Sequence, residues 1–185
     1  SHIITCLVEG EFMQMEDVYR IDQGIERYMT KTQKKTADFM EGCMELGGLL
    51  GDWQEDEIIE LKKYGHALGM AFQITDDIMD YRETAETTGK PVGNDLREGL
   101  LTYPLLSIVN DGNKDKLLED IKGLNNGGNE QDIIDYVIAQ GGIDNTLAVA
   151  DKYCKDALAA LAAVRDFPGK EFLVMAVENL ADRKV

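Results

Sequence analysis

The sequence predicts an all-α fold, and three observations carry that expectation. Apolar residues recur at helical spacing almost throughout the 185 residues. Only 3 prolines and 7% aromatic residues fit helices better than a β-sandwich. No stretch sustains the two-residue alternation of a half-buried strand. With 44% hydrophobic and 29% charged residues the chain can fill a core, and one domain over residues 1–185 is expected.

Each element follows from its own spacing. Ile3, Ile4, Leu7, Val8, Phe12 and Met15 form one stripe, so a helix runs to about Asp17. Asp22 is the expected N-cap of a second helix over 23–50. Ile25, Tyr28, Thr32, Phe39, Cys43 and Leu46 line its inner face, and Gly47, Gly48 and Gly51 end it. A long third helix spans about 56–82. Residues 83–101 hold Gly, Pro and Thr without a sustained period and read as a long loop. Pro104 suits the first turn of a helix through about Asn110. Further helices are expected at 114–124, 130–140, 143–166 and 170–183. The turn at 125–129, Gly141-Gly142 and Pro168-Gly169 separate them.

Charge narrows the function. Lys and Arg number 19 against 35 Asp and Glu, a net charge of −16. That argues against a nucleic-acid partner, which needs phosphates neutralised, and against a polybasic membrane surface. No apolar run reaches the length of a membrane span, and no signal-peptide pattern opens the chain. The chain enters helical sequence directly after Ser1, as expected of a piece of a longer polypeptide. Cys6, Cys43 and Cys154 are odd in number and lack metal-finger spacing, so a reduced, cytoplasmic location is expected. His2 and His66 pair with no cysteine by spacing, which speaks against a zinc site.

The most informative segment is the end of the third helix. Gln73, Asp76, Asp77 and Asp80 fall within an arc of roughly 100° at 3.6 residues per turn. Like charges three and four residues apart repel, and the helix C-terminus disfavours anions. Two local rules are broken together, as happens at functional sites. Mg²⁺, which takes carboxylate oxygens and bridges to phosphates, would relieve both. A solvated acidic helix end is the plainer alternative. Against it, Phe72, Ile74, Ile78 and Met79 surround the acids. Gly65 and Gly69 lie on nearly the same stripe, either leaving open space before the acids or admitting a neighbouring helix. Lys90, in a Gly-rich loop, offers a point charge for a diphosphate or is a surface residue of a turn. Lys35 lies at the border of the inner stripe with Thr36 inside it, where a lysine either snorkels to water or serves a site. Glu11 and Gln14 share one face of the first helix, as a buried polar contact or as part of a site.

Taken in order, these residues resemble the trans-isoprenyl diphosphate synthases, or polyprenyl synthetases. The matching set is Gly10-Glu11-x-x-Gln14, Tyr28 followed by Lys35-Thr36, and Gly69-x-Ala71-Phe72-Gln73-x-x-Asp76-Asp77-x-x-Asp80. It continues with Gly89-Lys90-x-x-Gly93-x-Asp95-Leu96, Gly99-x-x-Thr102-x-Pro104-Leu105, and Arg183. The aspartate segment resembles the family's second aspartate-rich motif.

The resemblance implies a helical bundle of the isoprenoid synthase type and a Mg²⁺-dependent prenyltransferase of isoprenoid biosynthesis. An allylic diphosphate ionises, the double bond of isopentenyl diphosphate attacks the allylic cation, and a proton is lost to the departing diphosphate. Asp76, Asp77 and Asp80 would hold Mg²⁺; Lys35, Lys90 and Arg183 would bind substrate. Thr36 and Gln73 would lie near the reacting carbons, Lys35, Thr36 and Gln73 being the catalytic candidates. A homodimer is implied. The family's first aspartate-rich motif, the paired arginines after it and an N-terminal Gly-Lys-Arg segment are absent, so this chain matches the C-terminal part of the fold, without its N-terminal helices, and is expected to be inactive alone. Leu100 replaces a lysine common after the loop's last glycine. The loop through Tyr103-Pro104 resembles bacterial medium- or long-chain synthases. A non-catalytic partner subunit or remnant that binds diphosphate or supports assembly is the alternative, and a terpene cyclase is a third, weaker reading.

Overall fold

The computed structural model describes residues 2–82 and 93–182. Among them there are helices and no strand: α1 (His2–Glu16), α2 (Gly24–Thr32), a π-helical turn (Gln33–Ala37), α3 (Asp38–Leu50) and α4 (Glu55–Arg82). Then follow α5 (Asn94–Glu98), α6 (Tyr103–Leu106), α7 (Lys114–Gly123), a 3₁₀ turn (Leu124–Asn126), α8 (Glu130–Ala139), α9 (Gly142–Ala162) and α10 (Lys170–Asp182).

Helix α4 is the axis because its apolar residues surround it rather than forming one stripe. Its first half, with Leu61, Tyr64, Ala67 and Ala71, packs against Cys154, Ala157 and Leu161 of α9 and Val177 and Leu180 of α10. Its second half, with Met70, Ile74, Ile78 and Tyr81, meets Tyr28 of α2, Leu96 of α5, Leu105 of α6 and Ile134 of α8. Small residues bring the backbones close on the remaining side. A Cβ at Gly65 would lie 2.6 Å from the Met40 carbonyl oxygen, and one at Gly69 would lie 2.6 Å from Cα of Ala37. The two glycines therefore admit α3 and the π turn and do not open space in front of the aspartates.

The second expected helix is real but its inner face slips. A π turn carries an extra residue and rotates everything after it relative to a continuous α-helix. Tyr28 and Thr32 are buried as expected, but beyond the turn the buried positions are Ala37, Gly42 and Gly48. Phe39 and Leu46 stand 50% and 56% exposed, and Cys43 is exposed. The cap also differs. Helix α2 begins at Gly24, and Asp22 pairs with Arg20 at 3.6 Å instead of capping. Gln23 sits at the cap without a side-chain cap bond and turns inward to Lys31 and the Leu101 carbonyl.

Of the long loop expected over 83–101, residues 83–92 lie outside the described residues, and the remainder holds helix α5. Asp80 on α4 explains it: its Oδ1 accepts from the Asn94 N–H at 3.1 Å and its Oδ2 from the Asp95 N–H at 3.2 Å. A carboxylate lent by one helix satisfies the first donors of another. Leu96 is then driven into the core. Helix α6 stops at Leu106, short of Asn110, whose side chain accepts from the Gly112 N–H while Asn113 Oδ1 takes the Asn110 N–H. Such Asn turns compete with helix. Helix α9 ends at Ala162, four residues early.

On α1 the buried residues are Cys6 and Gly10. A Cβ at Gly10 would lie 2.7 Å from the backbone nitrogen of Lys35, so α1 lies flat on the π turn. Much of the expected apolar stripe faces outward, with Ile4 at 70%, Phe12 at 59% and Met15 at 70% exposure, while Ile3 and Leu7 are half-buried. His2 Nε2 lies 3.6 Å from Cys6 Sγ one turn away, a cysteine–histidine contact that the residue-type spacing had not flagged. No described helix is long and apolar enough to cross a membrane.

Candidate active site

Lys35 and Thr36 stand within the π turn, and π turns recur at functional sites. There Thr36 Oγ1 donates to Gln73 Oε1 at 3.2 Å. Gln73 Nε2 donates to Asp77 Oδ1 at 3.1 Å, one turn along α4. Tyr28 of α2 donates its hydroxyl to Asp77 Oδ2 at 2.5 Å. A relay Thr36–Gln73–Asp77–Tyr28 thus crosses three elements. Lys35 Nζ donates to Gln14 Oε1 at 3.0 Å and pairs with Glu11 at 3.1 Å, so the polar face of α1 belongs to the same region.

These side chains line one cleft of about 170 Å³ that includes Lys35, Thr36, Gln73, Asp76 and Asp77. Lys31, Asp95, Leu100 and Thr102 complete its walls. Two larger clefts of about 660 and 650 Å³ lie elsewhere, between α7 and α8 and across α4 and α9. They gather none of the expected site residues, so size does not locate the chemistry.

The three aspartates have different surroundings. Asp76 is exposed and Asp80 half-buried. Asp77 is only 3% exposed. Burial pushes the Asp77 carboxyl up to about 7, against the hydrogen bonds from Tyr28 and Gln73 that favour its charge; Asp95 and Asp76 add to the rise. Burial also raises Asp80, against the two backbone N–H groups it accepts. The Tyr28 hydroxyl is raised by burial first and by Asp77 second. Burial lowers the Lys31 ammonium.

The aspartates fit a hard divalent cation in donor type, since all offer carboxylate oxygens and each oxygen has lone-pair capacity beyond one hydrogen bond. They are not drawn together. Among the described residues, the one trio of ligand atoms lying within 4.8 Å of one another is Asp38, Glu41 and His66, where Lys62 also reaches Glu41 at 3.6 Å. Lys90 and Arg183 lie outside the described residues.

Three residues here carry no site role in the sequence reading, although Tyr28 and Thr102 stand in the family-like pattern. Tyr28 stands on the inner face and in the family-like pattern, and its hydroxyl is the closest partner of Asp77. Lys31 stands three residues after Tyr28 on the buried face, and a lysine at an inward position was the available signal. Thr102 belongs to the Gly99-x-x-Thr102-x-Pro104-Leu105 pattern, which gave it no role, and its buried hydroxyl has no hydrogen-bond partner of ordinary length.

Comparison with known proteins agrees with this architecture. The family model for polyprenyl synthetase matches residues 1–140. The octaprenyl diphosphate synthase of Escherichia coli is 33% identical over 178 residues, covering 94% of this chain and 55% of that protein. Component 2 of the heptaprenyl diphosphate synthase of Geobacillus stearothermophilus is 33% identical over 155 residues, 84% of this chain and 48% of its own length. The chain thus spans about half the length of these curated relatives. Among solved structures, the heptaprenyl diphosphate synthase of Staphylococcus aureus superposes with a TM-score of 0.86 at 28% identity, over 99% of this chain and 58% of that one. A polyprenyl synthase of Caulobacter crescentus, complexed with calcium and isoprenyl diphosphate, gives a TM-score of 0.85 at 28% identity, over 99% and 57%. The all-α architecture is that of the isoprenoid synthases, and the chain belongs to the polyprenyl synthetase family.

Proposed function

We propose that this chain is part of a Mg²⁺-dependent trans-prenyltransferase that condenses isopentenyl diphosphate with an allylic diphosphate to make a polyprenyl diphosphate. The observation that carries the reading is Asp77, a buried carboxylate joined through Gln73 to Thr36 beside Asp76 and Lys35 in one cleft. A fold with no use for that carboxylate gains nothing by burying it. The Caulobacter relative, solved with calcium and isoprenyl diphosphate, supports the ligand class.

Asp76, Asp77 and Asp80 hold Mg²⁺ in this reading. Bound there, the cation supplies charge neutralisation to a leaving diphosphate. Lys35, Lys90 and Arg183 bind diphosphate oxygens. The Gln73 and Thr36 oxygens turn dipoles toward the developing allylic cation. Tyr28 and Gln73 keep the Asp77 carboxylate oriented. In the reaction the allylic C–O bond breaks, a C–C bond forms from the isopentenyl double bond, and diphosphate accepts the released proton. Residues 1–185 act as one all-α domain of a cytoplasmic protein.

Self-association as a homodimer belongs to the same proposal. The stripe of Ile4, Val8, Phe12 and Met15 is an exposed apolar helix face of the kind that pairs. Phe12→Glu is expected to shift the sedimenting species to half the mass. An unchanged mass would place the contact elsewhere.

The test is incorporation of labelled isopentenyl diphosphate into extractable prenyl product. The natural polypeptide containing this chain is expected to be active with Mg²⁺ and silent in EDTA. Residues 1–185 alone are expected to give no product. Product from the short chain overturns the second expectation. No product from the natural polypeptide with any allylic diphosphate overturns the enzyme reading and leaves a partner subunit that binds diphosphate.

A further inference from the structure

Lys31 is the one buried lysine among the described residues. Its ammonium has three N–H donors. Its partners are distant: Gln23 Oε1 at 3.3 Å and Asp17 Oδ2 at 3.7 Å. Charge-assisted bonds close to about 2.8 Å when nothing holds them apart. Asp17 Oδ1 is already taken by Arg27 Nε at 2.7 Å, while Oδ2 is buried without any hydrogen bond. The lysine therefore stands on an acid it does not fully engage.

Its other side lines the cleft that holds Asp76, Asp77 and Lys35. Thr102 is on the wall of that cleft too, nine-tenths buried at the start of α6. Its hydroxyl makes no cap bond and no other hydrogen bond of ordinary geometry. The Tyr81 hydroxyl, which likewise makes no hydrogen bond of ordinary geometry, is close enough to interact weakly with that of Thr102. Packing alone would place an apolar side chain at position 31, beside the Tyr28 ring. A buried ammonium with loose partners and a buried hydroxyl with none are both costly. Both become favourable if a ligand brings oxygens between them.

We propose that Lys31 and Thr102 form an inner anion subsite of the cleft. The Lys31 ammonium and the Thr102 hydroxyl take oxygens of a diphosphate group, and Asp17 holds the ammonium from behind. The inference rests on the diphosphate reading above and assigns the inner wall that reading leaves without a role. Asp76, Asp77 and Asp95 also face the cleft, so an anion enters only together with cations, and Lys31 is the cation this wall supplies. Lys35 must first leave Gln14 and Glu11, both within about 3 Å. Lys31 gives up weaker contacts.

The experiment is calorimetric titration of the natural polypeptide with inorganic pyrophosphate in MgCl2. Lys31→Met is expected to raise Kd at least tenfold with the melting temperature kept or raised. Thr102→Val should raise Kd several-fold, and Lys31→Arg should keep most of the affinity. Lys34→Met, which removes a surface partner of Glu9, should change nothing. If Lys31→Met strands Asp17 and fails to fold, Asp17→Asn/Lys31→Met removes both charges and carries the same expectation. A Kd within twofold of wild type in a folded Lys31 variant, with Lys35→Met impaired, overturns this inference alone. Absence of pyrophosphate binding by the wild type at every Mg²⁺ concentration overturns the diphosphate reading and this inference with it.

Discussion

Asp77→Asn is expected to lower kcat/KM of the natural polypeptide by roughly 10²–10³, the loss that follows removal of one preorganised charge from a reacting site. The same change is expected to stabilise the unliganded protein at pH 8. The sign follows from linkage. The folded carboxyl titrates at about 7 and the unfolded one at 3.8, so between those values the native state binds the extra proton. Stability contributed by the neutral form is full below pH 4, falls as pH rises through the window, and is lost above about 7. The charged groups acting on this carboxyl include Asp76 and Asp95, which raise it further. Full ionisation then costs on the order of 2–4 kcal/mol. Asparagine does not ionise and removes that slope. Thermal melts of both proteins at pH 5.5 and pH 8 without divalent cations read it directly. Equal slopes would mean that Asp77 is solvated in the native state, and retained activity would remove it from the metal set. Destabilisation placed where function needs a charge is the usual stability–activity trade.

The second large effect is mechanical. Gly65→Ala or Gly69→Ala should each destabilise the chain by about 3 kcal/mol, at the upper end of overpacking costs. The new methyl would meet the Met40 carbonyl oxygen or Cα of Ala37, both at 2.6 Å, and backbone cannot turn aside as a side-chain tip can. Helix α4 would have to part from α3 and the π turn. Gly47→Ala is the control: nothing lies within 4 Å of its added Cβ, so it should gain about 0.5–1 kcal/mol from helix propensity. Urea midpoints of the three variants separate packing from propensity. A loss under about 1 kcal/mol at both Gly65 and Gly69 would mean the helices are not in contact there.

Much of the architecture was legible because long periodic segments declare themselves. The α4 axis and the turns flanking α8 follow from spacing and from Gly and Pro. What was illegible shares one cause: it depends on partners distant in sequence. The wheel of residues 23–50 is correct to Thr32 and then turns, because no local pattern announces one extra residue. Helix α5 forms because Asp80, fourteen residues before Asn94, supplies its acceptor. Gly65 and Gly69 admitted two meanings from the same spacing, and only the neighbouring backbone decides between them. The grouping of Gln73, Asp76 and Asp77 was readable from one helix. The joining of Thr36 and Tyr28 to it was not, since it takes two further elements.

The π turn fixes the length of this stretch as firmly as any side chain fixes its chemistry. Deleting one residue within 33–37 would restore regular α-helix and rotate all that follows by about 100°. Phe39 and Leu46 would then swing toward α4, where Gly65 and Gly69 leave room only for the backbone of Met40 and Ala37. Lys35 and Thr36 would lose their register with Gln73. Substitutions here can be absorbed one contact at a time, whereas a change in residue number cannot. In an alignment of such chains, this segment is where gaps should be absent, whereas an insertion at Gly127, where nothing lies within 4 Å of an added Cβ, should be tolerated better.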